Sequence, residues 1–93
     1  MPFEPAEPRF AYVLAVALHD TGQAPKAIDT LKALLEKRPN DRDALMALVS
    51  YEMKAGDPNS AASRAKLLSR LEPDSDDIKQ MLSDIESALK QAP

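Results

Sequence analysis

The chain has 93 residues, 44% of them apolar and 29% charged, with a formal net charge of −3 at pH 7. These proportions predict one small globular domain, and the mixed charges exclude the sustained basic field that draws proteins to nucleic acid. The sequence contains no cysteine, which excludes disulfides, thiol nucleophiles and cysteine metal sites and fits any redox compartment.

The first predicted helix runs from about Pro8 to Thr21 and stops at Gly22, because glycine accepts the left-handed conformation that follows a helix end. Its apolar run, residues 10–18, is nine residues long. A membrane-spanning helix needs about 20 residues, so we expect no membrane segment. Acidic residues precede the run, where a signal peptide would be positively charged. We therefore expect a soluble protein, cytoplasmic or periplasmic.

The second helix is predicted to begin near Pro25, where the missing N–H costs nothing in a first turn, and to end before Pro39. Asn40 or Asp41 would cap the third helix. Asp43 lies in its first turn, near the positive end of the helix dipole.

The third helix is predicted to end at residues 55–56, where the second glycine of the chain stands. Residues 57–58, Asp-Pro, then pair an N-cap with a first-turn proline and start the fourth helix. That helix is predicted to end near Leu71, ahead of a further proline.

The fifth helix is predicted from about Ser75 to Gln91, with Asp74 and Asp77 repeating the spacing of the acidic and amide residues that begin the third. Apolar residues recur in it at three- and four-residue intervals, which favours a helix over a strand. They are Ile78, Leu82, Ile85 and Leu89.

A 34-residue interval separates Pro5, Pro39 and Pro73. The same interval relates four further pairs: Gly22 and Gly56, Leu14 and Leu48, Ala27 and Ala61, and Leu34 and Leu68. Self-similarity at this period indicates a helix-turn-helix solenoid, in which each unit buries its apolar side against its neighbours.

The pattern within each unit resembles the tetratricopeptide repeat. The residues in signature places are Leu14, Ala15, Leu18, Gly22, Ala27, Leu31, Leu34 and Pro39 in the first unit, and Leu48, Val49, Gly56, Ala61, Ala65, Leu68 and Pro73 in the second. The resemblance implies an all-α fold, a right-handed α-solenoid of two helix pairs closed by a C-terminal capping helix. Five helices are expected in all.

Several positions depart from the family pattern. The usual aromatic side chains are largely replaced, by Ala11, Leu31, Leu45 and Ala65. Val49 stands where a smaller residue is usual, and Glu52 stands where an apolar one is. We expect a somewhat different local packing in the second unit.

The repeat predicts four segments: 1–7 as the tail of a preceding repeat or linker, 8–41 and 42–74 as the two units, and 75–93 as the cap. We infer a C-terminal fragment of a longer bacterial repeat protein. The first helix would then expose an apolar face formed by Phe3, Phe10, Val13 and Leu14. Such a face favours self-association.

The resemblance also implies a concave face lined by the first helix of each pair. The residues placed there are Arg9, Tyr12, Val16, His19, Asp20, Asp43, Met46, Ala47, Ser50, Met53, Lys54, Gln80 and Asp84. This lining would suit a peptide or a partner helix. The alternative is that these residues cover ordinary surface and that missing repeats form the real groove. Val16 and Ser50 stand where the family's clamp for acidic chaperone tails needs polar amides, which disfavours that partner.

No arrangement of residues in the sequence points to catalysis, to a metal or to a cofactor. His19 is followed by Asp20, but adjacent helical residues point about 100° apart and do not face each other. Basic residues on the second helices alternate with acidic ones, and no aromatic platform accompanies them, so nucleic acid is not an expected partner.

The sequence therefore predicts a non-catalytic protein-protein interaction scaffold whose partner is a protein or peptide. The alternative is an accessory repeat domain of a larger enzyme or a multihaem c-type cytochrome, with the chemistry upstream. Residues 12–23 and 40–43 resemble repeats appended to such cytochromes, although the chain has no Cys-x-x-Cys-His.

Overall fold

The computed structural model describes residues 8–91, and their side chains from Phe10 onward. This part of the chain forms five α-helices and no strand. They are α1 (Pro8–Asp20), α2 (Ala24–Lys37), α3 (Arg42–Lys54), α4 (Pro58–Leu71) and α5 (Asp76–Gln91). The predicted all-α solenoid is thus confirmed. The predicted preceding-repeat tail, with Phe3 and Pro5, lies outside the described residues.

One glycine follows the first helix of each pair, Gly22 after α1 and Gly56 after α3. Gly22 and Gly56 have φ of 85° and 81°, a conformation that costs a residue with a Cβ about 1–2 kcal/mol. The amide of the residue after each glycine then turns back onto a carbonyl of the helix, 2.8 Å from Gln23 N to Leu18 O and 2.8 Å from Asp57 N to Glu52 O. The chain is thereby reversed in the same way twice.

Side-chain caps begin α3, α4 and α5. Asp41, and not Asn40, caps α3 by accepting a hydrogen bond of 3.0 Å from the Ala44 amide. Asp57 caps α4 in the same way, accepting from Ser60. At α5 the cap is Ser75, whose hydroxyl accepts a hydrogen bond of 3.4 Å from the Ile78 amide, and Asp74 precedes it in the chain. Asp77 does lie in the first turn of α5.

Each helix packs against the next one in the chain, and α1 also contacts α3. The central helix, α3, divides its buried residues between two apolar clusters. In the first core, Ala44, Leu48 and Tyr51 pack with α1 and α2. In the second core, Leu45 and Val49 pack with α4 and α5. Leu35 of α2 contacts both clusters, which makes the core continuous along the solenoid.

Close helix crossings use alanine. Ala27 and Ala61, which occupy equivalent places in the two units, are both 0% exposed. A larger side chain at either position would push two packed helices apart.

A buried charge distinguishes the second unit. Glu52 is 2% exposed, and its Oε2 accepts a hydrogen bond from Arg64 at 3.5 Å. Within the described part of the chain, Glu52 Oε1 and Arg64 Nε have no hydrogen-bond partner. Burial, only partly offset by Arg64, raises the pKa of the Glu52 carboxyl.

No helix within residues 8–91 is both long enough and apolar enough to cross a membrane.

Candidate functional site

A groove of about 460 Å³ lies between α3 and α5. Its apolar lining comes from Met46, Val49 and Met53 of α3 and from Met81 and Ile85 of α5. Each set recurs at three or four residues, so each lies on one face of its helix. Val49 and Ile85 are buried in the second core, whereas the three methionines are half-buried. The groove is therefore an extension of the core that opens to the surface.

The polar lining of the groove is asymmetric. Ser50 of α3 is exposed on one side, and Asp77, Gln80 and Asp84 of α5 are exposed on the other. Gln80 Nε2 donates a hydrogen bond of 3.0 Å to Asp84 Oδ1. Neither aspartate forms an ion pair with a residue that the structure describes. The α5 wall of the groove is therefore acidic.

The structure brings together five of the residues predicted for a concave face. Met46, Ser50, Met53, Gln80 and Asp84 all line the groove between α3 and α5. Three other lining residues that matter to its shape, Val49, Met81 and Ile85, were not in the predicted set. The sequence marks Val49 and Ile85 as packing residues and gives no role to Met81, and only the separation of α3 from α5 brings all three to the opening of the groove.

The remaining predicted residues lie outside this groove. Asp43 and Lys54 are exposed near opposite ends of α3, and Asp20 is exposed at the end of α1. Val16 is half-buried on α1, and Tyr12 and Ala47 pack against the first core. The backbone of Arg9 belongs to α1, but its side chain is not among those described.

His19, a predicted concave-face residue, is held in an aromatic contact between α1 and α3. Its ring stacks on that of Tyr51, with centroids 3.9 Å apart and planes 5° from parallel. Burial, followed by the nearby Tyr12 and Asp20, raises the pKa of the Tyr51 hydroxyl. The sequence did not predict this contact, because 32 residues separate the two rings. His19 thus helps to join the two units.

A second cavity of about 300 Å³ lies where α2 faces the ends of α3 and α4. Ala24, Pro25, Ile28 and Ala55 supply its apolar lining; Asp29, Lys32, Glu52 and Asp57 supply its charges. The unpartnered Glu52 Oε1 is closed off from solvent, with less than 1 Å² accessible. A ligand in this cavity would not reach that atom.

Among the residues that the structure describes, no group of three histidine, aspartate or glutamate side chains could hold a metal ion.

Comparison with known families identifies the repeat. Residues 8–50, which include α1, α2 and most of α3, match the family model described as tetratricopeptide repeat. No curated protein matches the chain. Helices α3 and α4 repeat the glycine turn, the buried alanine and the proline-bounded end of α1 and α2. Residues 8–50 are therefore similar to the tetratricopeptide repeat family over one full helix pair and most of the next helix.

Proposed function

We propose that this chain is a non-catalytic protein-interaction module that binds a peptide or a partner helix in the groove between α3 and α5. Its similarity to the tetratricopeptide repeat family supports the general role, because such repeats typically bind proteins or peptides. The observation that carries the proposal is the groove itself, with its half-buried methionines.

Methionine suits such a surface for a physical reason. Its unbranched, polarizable side chain adapts to differently shaped apolar partners. Met46, Met53 and Met81 are placed around one opening, above a floor of fully packed residues. At about 460 Å³, the groove is at the small end of ligand clefts and has room for a few side chains of a docked segment.

Site-specific cross-linking tests this location. Ser50 lies in the groove and Ser63 lies on α4 outside it, and both are exposed serines within helices. A photo-reactive residue replaces one or the other in the purified chain, which is then irradiated in cell lysate. We expect a discrete covalent adduct from position 50 and none from position 63.

A second variant connects the adduct to the apolar lining. Met53→Gln, added to the position-50 probe, should reduce the adduct strongly, because a polar amide replaces an apolar contact of the partner. Leu71→Gln is the matched control, since Leu71 is 39% exposed on α4 and lies outside the groove. Adducts from position 63 alone, or an adduct that Met53→Gln leaves unchanged, would contradict the proposal.

A further inference from the structure

We infer that the segment bound in this groove is a basic amphipathic helix, with apolar side chains on the methionines and lysine or arginine side chains on the α5 wall. The inference rests on the proposed function and adds the chemistry of the partner.

The first argument is the charge of the lining. Asp77 and Asp84 are the acidic side chains that line the groove, and no lysine or arginine within residues 10–91 joins them there. An apolar groove edged by one sign of charge favours a partner of the opposite sign and disfavours one of the same sign.

The second argument is that Asp84 has no evident role in stability. Asp77 lies in the first turn of α5, where a carboxylate stabilises the positive end of the helix dipole. Asp84 lies in the middle of the helix, beyond the reach of that effect, and its described hydrogen bond comes from Gln80 on its own helix. Three acidic residues of the described chain are in ion pairs, Asp41, Glu52 and Glu72, and Asp84 is not one of them. Asp84 is left available to a partner.

The third argument is spacing. Asp77 and Asp84 are seven residues apart, which places them on one face of α5 at about 10.5 Å along its axis. Two basic residues seven apart on a partner helix have the same separation. Residues three and four positions after the first of them would then lie between the charges, on the same face. Apolar residues there would meet Met46, Met53 and Met81.

The probe that tests this is a synthetic helical peptide with two lysines seven residues apart and two leucines between them at the third and fourth positions. A control peptide carries glutamate in place of both lysines. Binding of each fluorescent peptide to the intact chain is measured by anisotropy at low and at high salt. We expect the lysine peptide to bind at least about ten-fold more tightly, with a preference that weakens as salt screens the charges.

Charge variants of the chain show which acidic residues cause the preference for the lysine peptide. Asp77→Asn and Asp84→Asn should each weaken binding of the lysine peptide about two- to five-fold, and about ten-fold together, which is the range for exposed ion pairs. Glu86→Gln is the matched control, because Glu86 is an exposed acid of α5 outside the groove. Circular dichroism confirms that each variant remains helical.

The outcomes separate this inference from the proposed function. Equal binding of both peptides, abolished by Met53→Gln, would overturn the basic partner and leave the groove as the binding site. The docking described here would be overturned if Met53→Gln left binding of the lysine peptide unchanged. It would also be overturned if Glu86→Gln weakened that binding as much as Asp84→Asn does. Failure of both peptides to bind would also overturn the inferred basic partner. The cross-linking experiment tests separately whether the groove is the binding site.

Discussion

Glu52 places a buried carboxylate between α3 and α4, where it faces Arg64. Its interaction with Arg64 is a single hydrogen bond of 3.5 Å, and each residue leaves one polar atom without a partner in the described structure. Removing a carboxylate from water costs free energy that so weak a contact only partly offsets. The family pattern, which has an apolar residue here, avoids that cost.

The raised pKa of Glu52 gives a pH dependence whose sign is fixed. The folded chain binds this proton more tightly than the unfolded chain, in which the pKa is near 4.5. The contribution of Glu52 to stability therefore falls as the pH rises through the interval that begins near the unfolded pKa and ends at the raised folded one. Urea denaturation of the wild type and Glu52→Gln should show a gap in unfolding free energy that shifts in favour of the variant over this interval. A gap that stays constant with pH would contradict the assignment.

At the scale of the element, α5 closes the second core. Ile78 and Ile85 are each 1% exposed and pack with residues of α3 and α4. Its polar residues lie on the remaining surface, and Lys79, Glu86 and Lys90 are exposed there. One buried stripe and one solvated face make the helix a cap on α4 and, at the same time, one wall of the groove.

Truncation of the buried stripe measures the contribution of this helix. Ile78→Ala should lower the unfolding free energy by about 2–5 kcal/mol, because it removes buried apolar area and leaves a cavity. Leu71→Ala, at a 39% exposed position on α4, is expected to cost much less. Chemical denaturation measures the unfolding free energy of both variants. Similar losses of free energy for the two would mean that α5 is only loosely attached.

At the scale of the whole molecule, α1 carries two of the three large apolar side chains that are exposed within the described residues. Val13 is 61% exposed and Phe10 is 44% exposed, whereas Leu14, which was also predicted for an exposed face of this helix, is half-buried. Exposed apolar side chains grouped on one helix favour contact with a second apolar surface.

We predict that this face supports self-association at high concentration. Val13→Glu should lower the weight-average mass, because dimerisation would then bury a carboxylate. Ala33→Glu, at an exposed position of α2, is the matched control. Sedimentation velocity over a range of concentrations provides the measurement. A wild-type chain that stays monomeric throughout would contradict the prediction.

The helices were predictable because the signals that delimit them are local. Gly22 and Gly56 require a positive φ, and Asp57 with Pro58 starts a helix, using only interactions between residues a few positions apart. At α5, local signals alone do not single out one capping residue. Asp74 and Ser75 are both good capping residues, and only the backbone geometry selects the hydroxyl of Ser75.

The sequence alone determined the repeat, because a 34-residue periodicity records how each unit packs on the next. It also placed Met46, Met53 and Asp84 on helix faces directed away from the core. The tertiary structure decided which of those faces meet. The groove joins helices separated by a whole intervening helix, and the His19–Tyr51 stack joins α1 to α3 in the same way. Such contacts depend on the angle and distance between packed helices, which no local pattern of residues specifies.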